Sequence, residues 1–404
     1  MRRYLHILSR PGALLPFLAS FAARLPVSMV PLGIVLLVQS VRGAYAPAGL
    51  VTAAFTLGVA VSSPAWGALI DRVGQPKVII PLSAASAVLL VLLAVGAVRG
   101  ASDAVLIGFA AGVGATFPPI SPAMRAAWRV VVEDEDDRRA AYALEGVVIE
   151  VVFVGGPLLL SLLLVTTSPV VPLLVTAGLM GIGGIGYAAT RAARTWRPEP
   201  HHEGPGTRGP SPLRVPGVAA VLTVALLVAI AFGQLDVSLA ATAQTVLGDQ
   251  ALVGLLFMSI AGGSVVGGTW YGTRRWLRGE HARLPISLTG LCLGMSGVTA
   301  LIAFGVSALG ALMPLLFLTG LSIAPGLIMM ANLIDDHASR DRLSEAQSWL
   351  TTAFTAGGAA GTALAGVLVD HGGPSRSFLG ATLGMVGAAL LALAAQRFWH
   401  LPTP

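Results

Sequence analysis

Three ionisable residues stand inside long apolar runs of this 404-residue chain: Arg24, Glu150 and Asp236. A charge at the centre of a bilayer costs several kcal/mol unless it is paired or faces a water-filled cavity, so each implies a role. Counted from the predicted inner ends of their segments, Arg24 lies roughly 18 Å deep and Glu150 roughly 12 Å deep at 1.5 Å per residue. Long side chains span that difference, and an Arg24–Glu150 pair is expected. Such a pair either fixes helix packing or lets Glu150 carry a coupling proton. Asp236, in Gly233-Gln234-Leu235-Asp236, lies toward the outer third of its segment, where it could attract a cation, take up a proton or simply meet interfacial water. Gln234 and Trp349 complete the candidate substrate- and proton-binding residues. Glu145 falls near the inner end of its segment and is expected to be interfacial.

Other chemistries find no support. The seven histidines (His6, His201, His202, His281, His337, His371 and His400) all fall in expected loops or tails, which excludes a buried histidine relay. The single cysteine, Cys292, allows neither an intramolecular disulfide nor a thiolate metal cluster. There is no G-x-x-x-x-G-K-[ST] phosphate loop, no H-E-x-x-H pair and no G-x-S-x-G elbow, so neither an ATP-driven pump of that type nor an enzyme is expected. No metal and no cofactor are expected. The acidic run from Glu133 to Asp137, followed by Arg138 and Arg139, reads as a solvated, self-neutralising loop.

The elements that must position these residues follow from composition. The chain is 55% apolar and 11% charged, against about 25% charged in soluble domains. Its mean hydropathy of +0.81 requires lipid as the outer solvent. A spanning helix needs about 20 apolar residues, and twelve segments qualify, from 13–39 through 143–166 (the fifth) and 216–243 (the seventh) to 376–398. The first continues too far for a cleaved signal peptide. Residues 191–215, rich in Pro, Gly, Arg and His, form a cytoplasmic linker between an N-terminal six-helix bundle (1–190) and a C-terminal one (216–404). With the N-terminus inside, 21 of the 25 basic residues lie in inner segments and three in outer loops. That asymmetry places both termini in the cytoplasm of a bacterial-type plasma membrane. The pI near 10.2 reflects this topology; no basic stripe with stacking aromatics suggests nucleic acid.

The halves repeat. A shift of 205 residues lays Gly49-Leu50 on Gly254-Leu255, Gly58 on Gly263, Trp66-Gly67 on Tyr271-Gly272 and Gly156 on Gly361. Two parallel six-helix repeats characterise rocking transporters with a midplane site between the halves. Pro118, Pro119 and Pro122 in the fourth segment and Pro325 in the tenth are expected to break related helices. The Gly-x-x-x-Gly pairs read as close packing within one chain, and a monomer is expected.

Gly67-Ala-Leu-Ile-Asp71-Arg72-Val-Gly74-Gln-Pro76-Lys77, at the inner end of the second segment, resembles the G-x-x-x-D-R-x-G-x-[RK]-[RK] loop signature of the major facilitator superfamily. Gly67, Asp71, Arg72, Gly74 and Lys77 match, and Pro76 departs. The resemblance implies an all-α fold of twelve transmembrane helices in two pseudo-symmetric halves, with this loop latching the outward-open state. Gly67 would permit close helix approach. Two other family elements are incomplete. Gly112-Val-Gly114 matches the tail of the fourth-helix R-x-x-[QG]-G-x-G element, but Gly108 replaces its arginine. Gly155-Gly156-Pro157 holds half of the glycine-rich antiporter element and favours export. The reading is a secondary transporter of small molecules by alternating access, proton-coupled and exporting drug-like or secondary-metabolite compounds. A nutrient or sugar facilitator or uptake symporter is the alternative, and a non-transporting scaffold or receptor the remote one.

Overall fold

The structure, a computed structural model, describes residues 6–10, 12–132, 134–196, 211–273, 276, 279–339 and 342–399. Among the described residues the chain is helical with no strand. The first ten spans are α1 (Leu14–Arg42), α2 (Tyr45–Val73), α3 (Gln75–Val98), α4 (Asp103–Val131), α5 (Glu135–Thr166), α6 (Val170–Ala189), α7 (Pro216–Val246), α8 (Val253–Thr273), α9 (Glu280–Ala303) and α10 (Leu309–His337). The helical run Leu343–Trp399 is 57 residues long, roughly 85 Å at 1.5 Å per residue and far beyond a bilayer core of about 30 Å. It breaks at Gly372 and Gly373 (φ 73°), giving α11 (343–371) and α12 (374–399). Twelve spans result, as expected from the sequence. Helices satisfy their own backbone groups where lipid offers no partner, which is why so apolar a chain takes this form.

By contacts the chain divides into two units, residues 1–43 with 54–202, and residues 44–53 with 203–404. The second boundary falls inside the 191–215 stretch, while the first two turns of α2 belong to the second unit. The expected linker is also not wholly irregular. Thr190 caps a short helix, Arg191–Thr195, by accepting from the Ala193 N–H, and Ala192 and Ala193 are buried.

Glycine sets the packing inside each unit. In the first, a Cβ on Gly114 would sit 2.0 Å from the Phe55 carbonyl, and one on Gly58 2.5 Å from that of Ala111, so α2 and α4 touch backbone to backbone. In the second, Gly263 meets Phe317 and Gly320 meets Ile260 in the same way, joining α8 to α10. Gly156 lies on Ser28 of α1, and Gly361 on Ile230 of α7. At Gly58/Gly263 and Gly156/Gly361 the 205-residue repeat is therefore a repeat of close approaches, whereas Gly67 and Gly272 both meet open space.

Proline sets the breaks. Helix α4 consists of Asp103–Ala115 and Ile120–Val131, and α10 of Leu309–Gly320 and Ile323–His337. Pro118 and Pro119 lack the N–H groups that Gly114 and Ala115 would bond. The Trp66 indole donates to the freed Ala115 carbonyl at 2.6 Å, and Ser62 Oγ reaches that of Gly114 at 3.4 Å. Helix α1 also bends, from Leu14–Arg24 into Pro26–Arg42, with Pro26 at a first helical position, where no N–H is required.

Candidate functional site

Arg24 ends the first run of α1 and is 2% exposed; Glu145 of α5 is 5% exposed. Arg24 Nη1 lies 2.6 Å from Glu145 Oε2, while Arg24 Nε and Nη2 are buried without a hydrogen-bond partner among the described residues. The indole of Trp128, on the second run of α4, donates to Glu145 Oε1 at 2.8 Å. Nearby in the same core, the Tyr187 hydroxyl donates to Gln75 Oε1 at 2.9 Å, and Gln75 Nε2 donates to the Ala123 carbonyl at 3.0 Å. Trp128 and Tyr187 belong to one apolar cluster with Ile79, Ile120, Met124 and Ala188. A charge pair is thus sealed in the hydrophobic centre of the first unit.

Arg24 thus has a partner in Glu145, which is buried rather than interfacial as expected. The acidic run is not a loop: Asp134 accepts from the Asp137 N–H and caps α5, which starts at Glu135. Arg10 pairs with Asp137 on this added turn. Glu145 therefore lies roughly 15 Å into its helix, as Arg24 does into α1. An apolar-run count places the helix start at the first greasy residue; the cap and the charged first turns move it outward. The side chain of Glu150 lies outside the described residues.

The other candidates lie in the second unit. Asp236 is exposed and has no hydrogen-bond or ion-pair partner among the described residues. Around it, residues 231–243 of α7 are buried except for half-buried Phe232. Gln234 is 1% exposed; its Nε2 donates to the Ile230 carbonyl at 3.4 Å, and its Oε1 packs on Gly380 of α12 without a donor. Trp349 of α11 is 38% exposed. No hydrogen bond joins Asp236, Gln234 and Trp349 among the described residues.

In the latch motif, Gly74 has φ 91° and starts α3, a conformation that favours glycine. Arg72 and Lys77 are exposed, and the side chain of Asp71 lies outside the described residues. A Cβ on Gly67 meets open space, so the close approach expected there is absent in this structure. Of the antiporter-like group, Gly156 does carry a close approach, beside a bond from Ser28 Oγ to the Val152 carbonyl at 2.8 Å; Gly155 meets open space and Pro157 lies within α5.

At the α8–α9 end of the second unit, Arg283 stacks over Tyr271 and Trp276 with its guanidinium carbon 4.9 and 5.0 Å from their ring centres. Glu280 Oε1 accepts from Asn332 at 2.8 Å and from the Tyr271 hydroxyl at 3.3 Å. Sequence reasoning did not single out this group; Tyr271 stands one repeat from Trp66. A groove of about 850 Å³ between α3 and α6, lined by residues such as Val88, Leu92, Leu174 and Ile182, offers only apolar side chains. Among the described residues no cluster of His, Cys, Asp and Glu could hold a metal ion.

No curated protein matches the chain in sequence. Solved structures share its fold at low identity. A bacterial homologue of the human lysosomal transporter Spinster, in an inward-facing and occupied conformation, is 14% identical with a TM-score of 0.71, over 96% of this chain and 95% of that one. A bacterial homologue of the iron transporter ferroportin, in an inward-facing state, is 13% identical with a TM-score of 0.72, over 97% and 99%. The nucleoside transporter NupG is 12% identical with a TM-score of 0.69, over 95% and 99%. The family profile described as Major Facilitator Superfamily matches residues 16–347, and the chain belongs to that superfamily of membrane transporters.

Proposed function

We propose that the chain is a proton-coupled secondary transporter that exports small, partly apolar molecules across a bacterial plasma membrane by alternating access. The observation that carries this reading is the buried Arg24–Glu145 pair. Removing the charge of one partner from a buried pair leaves the other uncompensated, at a cost of about 3–5 kcal/mol. A proton bound by Glu145 would create that situation, since Arg24 has no second acceptor among the described residues. The first unit must then let water or another anion reach Arg24, or shift α1 against α5. Proton binding and helix movement become one event, as coupling requires.

Asp236 supports the aqueous side of the reading. A carboxylate cannot face acyl chains at that depth, and α7 is otherwise buried around it. Asp236 therefore lines a solvated path, where it would favour cationic cargo or receive protons. Gln234 serves to pack α7 on α12, and Trp349 offers an accessible aromatic surface for an apolar cargo.

A facilitator or uptake symporter is the second reading. Gly108 favours it, standing at the arginine position of the fourth-helix R-x-x-[QG]-G-x-G element. Uptake into inverted membrane vesicles, assayed with a panel of lipophilic toxic compounds, separates the two. Export predicts accumulation that an uncoupler abolishes; accumulation indifferent to the uncoupler removes proton coupling, and no accumulation favours the facilitator.

A further inference from the structure

Among the described residues, Arg24 and Glu145 are the two charged side chains that are buried, and the core of the first unit is neutral because they cancel. A proton on Glu145 ends that balance. Arginine cannot restore it by giving up a proton of its own, and a lone buried charge is costly. The compensating charge must therefore be an anion, and no neighbouring side chain supplies one. Asp137, about two turns earlier on α5, is held by Arg10. The Tyr187 hydroxyl of α6, the other titratable group in electrostatic reach of the pair, donates to Gln75. Helix α3 presents Gln75 and α4 presents Trp128, neither of which titrates.

The guanidinium has a free edge for such an anion. Arg24 meets Glu145 through Nη1, while Nε and Nη2 are buried and find no acceptor among the described residues. In a guanidinium the Nε–H and one N–H of Nη2 point the same way, as a rigid fork that holds an anion with two parallel bonds. The donors around this fork are already committed. Trp128 donates to Glu145, and Tyr187 to Gln75. Ser20, one turn before Arg24, donates to the Phe17 carbonyl at 2.8 Å. Arg24 is 2% exposed and walled by apolar residues, so the site admits an inorganic ion of halide size and excludes an organic acid.

We propose that the Nε–Nη2 fork of Arg24 is a halide site, filled when Glu145 takes a proton. The charges balance: the proton neutralises Glu145, the halide takes over its charge opposite Arg24, and the core is neutral in both states. One proton and one anion enter together, and each binds better with the other present. Coupling then depends on halide as well as on pH. This rests on the proton-coupling reading, yet its test involves no transport: indifference to halide would strike the anion site and leave pH-driven accumulation to judge Glu145.

The test is the melting temperature of the purified protein in detergent, in sodium bromide against sodium gluconate at equal ionic strength. Glu145→Gln stands for the protonated acid. Arg24→Met/Glu145→Gln lacks the fork and carries any general salt effect. At a bromide concentration about five times the dissociation constant, Glu145→Gln should melt about 2–4 °C higher than in gluconate, beyond any change in the double variant. The parent should show no such shift at neutral pH and should develop it on acidification, a comparison that needs no variant to fold. A Glu145→Gln shift no larger than that of the double variant would leave the fork to water and overturn the proposal. So would a full shift in the parent at neutral pH, or none in the parent on acidification.

Discussion

Arg24 Nη1 and Glu145 Oε2 meet at 2.6 Å in a core that admits almost no solvent. The contact exists because two helices, α1 from Leu14 and α5 from Glu135, carry their charges to the same depth. Trp128 adds a donor that fixes the carboxylate. Neither charge could be there alone, and that mutual dependence is measurable.

Replacing Arg24 with Met or Glu145 with Leu should each lower stability by about 3–5 kcal/mol, because the remaining charge is stranded. The double variant Arg24→Met/Glu145→Leu should recover most of that loss. Thermal melting of the purified protein in detergent, arranged as a double-mutant cycle, checks this; additive losses would mean the pair is not coupled.

The close approaches make a sharper contrast. Gly114→Ala places a methyl 2.0 Å from the Phe55 carbonyl and should cost about 1–3 kcal/mol as the helices part. Gly67→Ala has open space and should stay within about 0.5 kcal/mol of the parent. Melting temperatures of the two variants, measured side by side, decide it.

Much of this was legible in the sequence, for reasons that differ by residue. Gly58 and Gly263 recur because the backbone contact each one makes leaves no room for a side chain. Pro118, Pro119 and Pro325 advertise their breaks because a missing N–H is a property of the residue itself. The burial of Glu145 is hidden from the sequence for an equally physical reason. Its helix begins in a charged segment held by Asp134, and counting apolar residues cannot see a cap. The likeness of Arg283, Tyr271 and Trp276 to any recognised motif is too slight to have signalled their stacking.

Removing the Trp66 indole N–H should loosen the α4 break. Trp66→Phe keeps an aromatic ring but leaves the half-buried Ala115 carbonyl without its indole donor, a loss of about 1 kcal/mol. Hydrogen exchange of the backbone N–H groups of residues 112–124 should quicken in this variant while α6 is unaffected. Equal exchange in parent and variant would count against the bond.

Asp236 should behave as a water-facing position. In the Cys292→Ser background, Asp236→Cys is expected to react with a small charged thiol reagent at least about tenfold faster than Ser238→Cys, which is fully buried, since the thiolate is the reactive form and needs water. Equal rates would place Asp236 in a dry environment and end its candidacy.

The central claim, that Glu145 carries the coupling proton, is tested most directly by Glu145→Gln in reconstituted vesicles with any exported compound. Gln resembles the protonated acid and can still accept from Trp128, so exchange of labelled for unlabelled compound should persist. Accumulation driven by a pH gradient should vanish. Accumulation in Glu145→Gln at the parent rate would contradict the account and reduce the Arg24–Glu145 pair to a structural brace.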